Sequence, residues 1–463
     1  MQIFYSLLQY ISLFVLLMIP GYIMGRGKRI NDSGSDILTN ILTDIAMPFL
    51  VFSKLLNMDL SVLDIPSVIC CFLFPIVSIV GIFLLSVIVF PKIEDGSRYP
   101  VNRFCSMMAG TDDYDAVSGN LWWAGSLALQ GMLTNLSDAP YLELDAEWWP
   151  TEYLDGFSYK GNCYWLTGPM ELAWVSEKAC MFYNEHLWNT LYEEDIYDTV
   201  DNGKFTFEFL NRIANEVYQD LNGNSKVDED DRMGYAIKSD SNIDTYASGA
   251  GVVIAPFDSD GVPYLKFLDD MTRIEAFWEK FLQFKTNDNV LYIQWAGSDT
   301  TIINMELFRE GNLMFVQGFL SHTTDQLRDM EDDYGVLPMP KLDETQENYL
   351  QIINNRVALF GIPVTVSDEG FNAVCAVFEA AAAEGYNTVI PSYYADALKN
   401  KYIRSEKSIE IINMLSQNPV CDFGLQYYDL GIAAFLKGLG NTSGIASTLK
   451  SQETTFRSKL EST

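Results

Sequence analysis

Three long apolar runs open the chain, over about 3–24, 37–56 and 65–90. Crossing a hydrocarbon core of about 30 Å takes roughly 20 apolar residues, so each run is long enough to span a bilayer as a helix. After about residue 108 the pattern changes. Apolar positions recur at short, helix-like or strand-like spacings, with polar residues between them. This part predicts a strand near 116–117, a helix over 124–133, a strand pair near 159–166 and a strand over 179–183. Further helices are predicted over 206–220, 273–284, 299–310, 369–384 and 406–415, the first with Thr206 as its cap. Such alternation of helix and strand predicts α/β lobes built on parallel sheets.

Charge follows the same division. Residues 1–106 carry seven Lys/Arg and seven Asp/Glu, so the net charge of −32 belongs to the remaining 357 residues. An excess of carboxylates excludes phosphate-backbone binding, which needs clustered Lys and Arg. It also opposes docking on anionic headgroups. The seven cysteines show no CxxC spacing and read as free, buried thiols. Only two histidines occur, His186 and His322, which argues against a histidine triad or zinc site.

Within the apolar part, Asp44 is an ionisable residue inside the second run and a candidate for function or for pairing within the bundle. Arg26, Lys28 and Arg29 follow the first run. By the positive-inside rule they put the N-terminus outside and everything after residue 91 in the cytoplasm. The N-terminus lacks the basic region and cleavage site of a signal peptide. Pro20-Gly21-Tyr22, the basic turn ending in Arg29-Ile30, the stretch Ile45-Ala46-Met47-Pro48-Phe49-Leu50-Val51-Phe52 and Arg103–Met108 resemble the auxin efflux carrier family of membrane transporters. The resemblance covers about residues 1–108 and implies only the first three spans, without the crossover helices of a transport site.

The acidic part is rich in aromatics: Trp122, Trp123, Trp148, Trp149, Tyr164, Trp165, Trp174, Trp295, Tyr393 and Tyr394. Sugar C–H faces pack on aromatic rings, and sugar hydroxyls need Asp, Glu, Asn and Gln partners. A carbohydrate binder is therefore expected. Several strings, in order, resemble family 1 extracellular solute-binding proteins of ABC importers. They are Tyr114-Asp115 through Trp122-Trp123 to Leu136, Gly161-Asn162-Cys163-Tyr164, Phe182-Tyr183-Asn184, Phe308–Phe315 and Tyr334–Lys341. The resemblance implies a class II periplasmic-binding-protein-like domain over 109–463, with two α/β lobes around a ligand cleft. Lobe one would take about 109–168 and 346–392, and lobe two about 169–345 and 393–463. The family's opening strands would be missing, leaving lobe one incomplete with exposed sheet edges. Carried over by position, the ligand residues are Trp122, Trp123, Trp165, Glu171, Trp295 and Phe319. The implied partners are a sugar or oligosaccharide and the importer's membrane subunits. The implied side is extracellular, against the cytoplasmic side given by the basic loops.

Residues 220–231 fit a twelve-residue calcium loop: Asp220, Asn222 and Asn224 at positions 1, 3 and 5, the Lys226 carbonyl at 7, Asp228 at 9 and Asp231 at 12. Ser225 stands where the loop usually has Gly. A structural Ca²⁺ is the expected cofactor.

The leading expectation is a non-enzymatic solute-binding protein fused to a truncated transporter segment, in a multi-pass membrane protein. The alternatives are a transporter fragment, and a hybrid reading frame joined near residue 110, where both resemblances break off. A glycosidase would need two carboxylates about 5–10 Å apart, which the ordered strings do not suggest.

Overall fold

The computed structural model describes strand residues 93–95 and residues 114–463, except 121–126, 129, 239–242, 294–299, 355, 395–405, 418, 428–429, 440–441 and 463. All of these belong to one unit, Val87–Thr463. The three expected spans, Asp44 and all of the efflux-carrier strings lie outside the described residues.

The larger lobe is organised by a five-stranded sheet. Its strands are β3 (Ala179–Asn184), β4 (Met233–Lys238), β5 (Leu291–Ile293), β6 (Leu313–Phe319) and β7 (Tyr334–Leu337), in the order β5-β4-β6-β3-β7. Every residue of β3 is buried, as expected of a strand covered on both faces. The helix Phe207–Val217 covers this sheet because Phe207, Leu210, Ile213, Ala214 and Val217 share one stripe and are all buried. Its predicted cap holds: the Phe209 amide donates to Thr206 Oγ1 at 3.3 Å. The helices Thr272–Lys285, Glu406–Gln417, Ile432–Gly438 and Ile445–Ser462 complete the same core.

The smaller lobe holds a three-stranded sheet of β1 (Ile93–Asp95), β2 (Ala116–Asn120) and β8 (Ala358–Gly361), in that order. The helix Asp368–Glu384, capped by Ser367, buries Val374, Cys375, Phe378 and Ala382 in this lobe's core. β1 pairs parallel to β2, so one edge of β2 is covered by a strand the hydrophobic pattern does not predict.

Three expectations change. The sheets are mixed rather than parallel: β4 pairs parallel with β5 and β6, but β3 is antiparallel to β6 and β7, and β8 is antiparallel to β2. Both exceptions are strands entered directly from a crossing between lobes, which delivers the chain in the opposite sense. The strand pair near 159–166 reduces to one isolated bridge, Tyr159 to Asn162, around a turn at Lys160 and Gly161, both with positive φ, while Leu166 bridges instead to Phe360. The helix over 124–133 has stopped by Gly131, whose φ of +68° belongs to a left-handed turn.

The expected multi-pass localisation is corrected. Among the described residues no helix is long and apolar enough to cross a membrane. The longest, Ile445–Ser462, carries Lys450, Glu453, Arg457, Lys459 and Glu461 along its 18 residues.

Candidate functional site

Three passages of chain run side by side between the lobes. Lys178 bridges antiparallel to Ile353, and Gln351 bridges parallel to Pro419. The Ala179 amide donates to the Ile352 carbonyl at 3.1 Å, Asn354 N to Glu177 O at 2.9 Å, and Val420 N to Gln351 O at 2.8 Å. This narrow ladder forms a hinge.

Strand direction says where a ligand belongs. The parallel strands β4, β5 and β6 all end at one edge of the larger sheet, and β3 begins there, with Ala179 opposite Phe319. In the smaller sheet β2 ends at Asn120, opposite Ala358, the residue with which β8 leaves the hinge. Both carboxyl edges thus flank the hinge. A crevice outside such edges is the usual ligand position in open α/β sheets.

The side chains gathered here are polar and largely desolvated. Glu177 is buried, with its carboxylate 3.9 Å from the exposed Arg356 guanidinium. Its Oε2 and the hydroxyl of Tyr393 are buried without a hydrogen-bond partner among the described residues. Burial raises the Glu177 pKa, while the Arg356 charge opposes the rise. His322 follows β6 and accepts the Phe319 amide on Nδ1 at 3.3 Å. Burial pushes its pKa down to about 4, against the pull of Asp325, so it is a neutral imidazole at pH 7. Glu171 accepts the Ala358 amide at 2.7 Å and the Thr167 hydroxyl at 3.3 Å. Burial lifts its pKa to about 8 despite these donors. Unpaired buried acceptors beside an exposed guanidinium are suited to holding a polar ligand.

The residues chosen from sequence are placed unevenly. Glu171 sits against the first crossing. Phe319 ends β6 at the crevice edge, but only 6% of its surface is exposed. Its ring lies edge-on to His322 at 5.7 Å. Trp165 is 1% exposed and packs with Leu133, Val117 and Leu359 in the smaller lobe's core, so its surface is spent on packing. Trp122, Trp123 and Trp295 lie outside the described residues. Sequence reasoning did not select Glu177, Arg356 or His322 as ligand residues, and it named Tyr393 only among the aromatics. A signal existed for one of them: Glu177-Lys178 is a charged pair directly before the wholly apolar Ala179–Phe182.

The 220–231 loop folds on itself. Asp220 accepts the Gly223 and Ser225 amides at 2.6 and 2.8 Å, and Asp231 accepts the Leu221 amide at 3.1 Å. Asn222 and Asn224 both donate to Asp228, the latter at 2.6 Å. Ser225 has φ +60°, the conformation that favours Gly at this turn. Asn224 accepts the Lys226 amide at 2.7 Å. Gln219 and Arg232 bridge across the loop's base. Among the described residues no group of three or more His, Cys, Asp or Glu is gathered so as to hold a metal ion.

The four described cysteines, Cys163, Cys180, Cys375 and Cys421, are free thiols.

No protein-family model matches the chain, and no curated protein matches it. Solved structures do. UspC from Mycobacterium tuberculosis aligns with a TM-score of 0.52 at 15% identity, over 77% of this chain and 89% of that one. UgpB from the same organism, solved with glycerophosphocholine, gives 0.50 at 15% identity over 78% and 87%. An ABC transporter solute-binding protein from Thermotoga lettingae, solved with α-D-tagatose, gives 0.50 at 14% identity over 78% and 88%. At this identity the likeness speaks for the fold, and the chain has the two-lobe, periplasmic-binding-protein-like fold.

Proposed function

We propose that this chain binds a carbohydrate-class solute between its lobes, without chemistry, and presents it to an ABC importer. The observation that carries the reading is the hinge, which both carboxyl edges flank and where, among the described residues, Glu177 Oε2 and the Tyr393 hydroxyl are buried without a hydrogen-bond partner. A sugar offers several hydroxyls that satisfy such atoms and a C–H face for rings at the rim. Two solved structures of the same fold hold small polar ligands, glycerophosphocholine and α-D-tagatose. Trp122, Trp123 and Trp295 remain the proposed rim aromatics, with Phe319 and Glu171 supporting the floor. The resemblance of residues 1–108 to efflux carriers plays no part in this reading.

The test is calorimetric titration of the full chain with a panel of neutral mono- and oligosaccharides. We expect saturable binding of at least one sugar, lost in Glu177→Ala. Absence of binding across the panel, or a sugar whose affinity Glu177→Ala leaves unchanged, overturns the reading.

We further propose that 220–231 takes up a structural Ca²⁺ through Asp220, Asn222, Asn224, the Lys226 carbonyl, Asp228 and Asp231. What supports it is the ligand spacing and the left-handed Ser225.

A further inference from the structure

Lys178 follows Glu177, which ends the short helix Ala173–Ser176 at φ −96° and ψ 19°, but the Lys178 side chain does not join the crevice cluster. It enters a cavity of about 430 Å³, within the usual range of small-molecule sites. No residue of the crevice cluster lines this cavity. Its walls come from three places: Trp148 and Trp149 of the smaller lobe, Trp174 of the first crossing, and Tyr386 and Tyr394 after the helix Asp368–Glu384.

The walls are held in place. Both indole N–H groups of Trp148 and Trp149 donate to Glu379, each at 2.9 Å. Tyr386 lies on a π-helical turn, Gly385–Val389, a distortion that recurs at functional sites. The turn is seated against the first crossing so closely that a Cβ on Gly385 would lie 1.9 Å from the Pro169 carbonyl oxygen.

The cavity contains one group that packing does not explain. Lys178 is 1% exposed, and among the described residues its amine has neither an ion pair nor a hydrogen bond. Its nearest recorded partner is the Trp174 ring, with the centroid 5.7 Å from Nζ. A lysine enclosed this way loses hydration that only an acceptor restores. Glu147 and Glu152 also line the cavity, which disfavours a ligand carrying more than one negative charge.

We propose that this cavity is a second ligand site, separate from the crevice, for a small aromatic or alicyclic monocarboxylate. Its carboxylate pairs with Lys178 and its ring lies among the indoles and phenols. Because the walls include the first crossing and the C-terminal return, an occupant contacts the hinge from behind.

The test uses benzoate, with benzamide as a neutral probe of the same shape, on the full chain. Intrinsic tryptophan fluorescence reports on Trp148, Trp149 and Trp174. We expect a saturable change with benzoate and at least ten-fold weaker binding of benzamide. Lys178→Met should remove that preference, and Lys178→Arg should retain it, which guards against a misfolded Met variant. Glu177→Ala should leave the benzoate response intact while losing sugar. No saturable benzoate response, equal binding of both probes, a preference that survives Lys178→Met, or loss of benzoate binding in Glu177→Ala each overturns the proposal.

Discussion

Glu171→Gln should flatten the alkaline fall in stability, and the size of the effect follows from the hinge geometry. The Glu171 carboxyl is held against the Ala358 amide and the Thr167 hydroxyl, and burial lifts its pKa from 4.5 to about 8. In the unfolded chain it loses its proton near the lower value. Between the two values the folded state therefore binds the extra proton, and stability falls as pH rises. One pKa unit corresponds to about 1.4 kcal/mol, so the full window is worth up to about 5 kcal/mol, lost as pH rises through the folded value, the loss being complete about one unit above it. Glutamine keeps an oxygen for both donors and removes the charge. The variant should match wild type near pH 4.5 and gain about 3–5 kcal/mol over it by pH 9. Lys178 acts in the opposite sense: burial lowers its pKa to about 7, so its penalty fades as pH rises from about 7 to 10.5. That contribution is common to both proteins and cancels in the difference. Urea denaturation at four pH values between 4.5 and 9 measures it. Parallel profiles, or a glutamine variant less stable than wild type at pH 9, would refute the reasoning.

Other sites give expectations of different kinds. Asp422 is buried and accepts the amides of Ile254, Ala255 and Gly424. Asp422→Ala should cost about 3–5 kcal/mol in urea denaturation, since it orphans three buried donors, and Asp422→Asn should recover part of that. Gly385→Ala places a methyl group on the Pro169 carbonyl. It should cost about 2–4 kcal/mol by thermal or urea denaturation, and a cost under 0.5 kcal/mol would show that the turn moves freely. Calcium should raise the melting temperature, with about 2.7 kcal/mol of stabilisation at one hundred times Kd. Asp220→Ala should abolish that shift, and an unchanged melting temperature in excess Ca²⁺ would remove the cation from the account.

The parts legible in the sequence were those whose chemistry is local. The helices 207–217, 272–285 and 368–384 follow from their apolar stripes, the first also from its Thr206 cap, and each begins and ends within a few residues of its expected bounds. Strand β3 followed from an unbroken apolar run. Pairing was not legible. Whether β3 lies parallel or antiparallel to β6 depends on the path of the chain between lobes, which no periodicity within either strand records. The site divides in the same way. Position in the resembled family favoured Trp165, yet Trp165 and Gly361 are packed together in the smaller core, where a Cβ on the glycine would come to 3.0 Å from the indole. Hydrophobicity cannot tell a ring that stacks on a ligand from one that fills a core. The informative residues were instead charged ones in improbable surroundings. Glu177 and Lys178 precede a strand with no exposed residue, and that burial was visible in the sequence as two charges abutting four apolar residues. The two side chains diverge, the carboxylate lying 3.9 Å from Arg356 and the amine lining the cavity with Trp148, Trp149 and Trp174. In the two sites proposed above, a single dipeptide supplies the polar anchor of the crevice and the buried amine of the separate cavity.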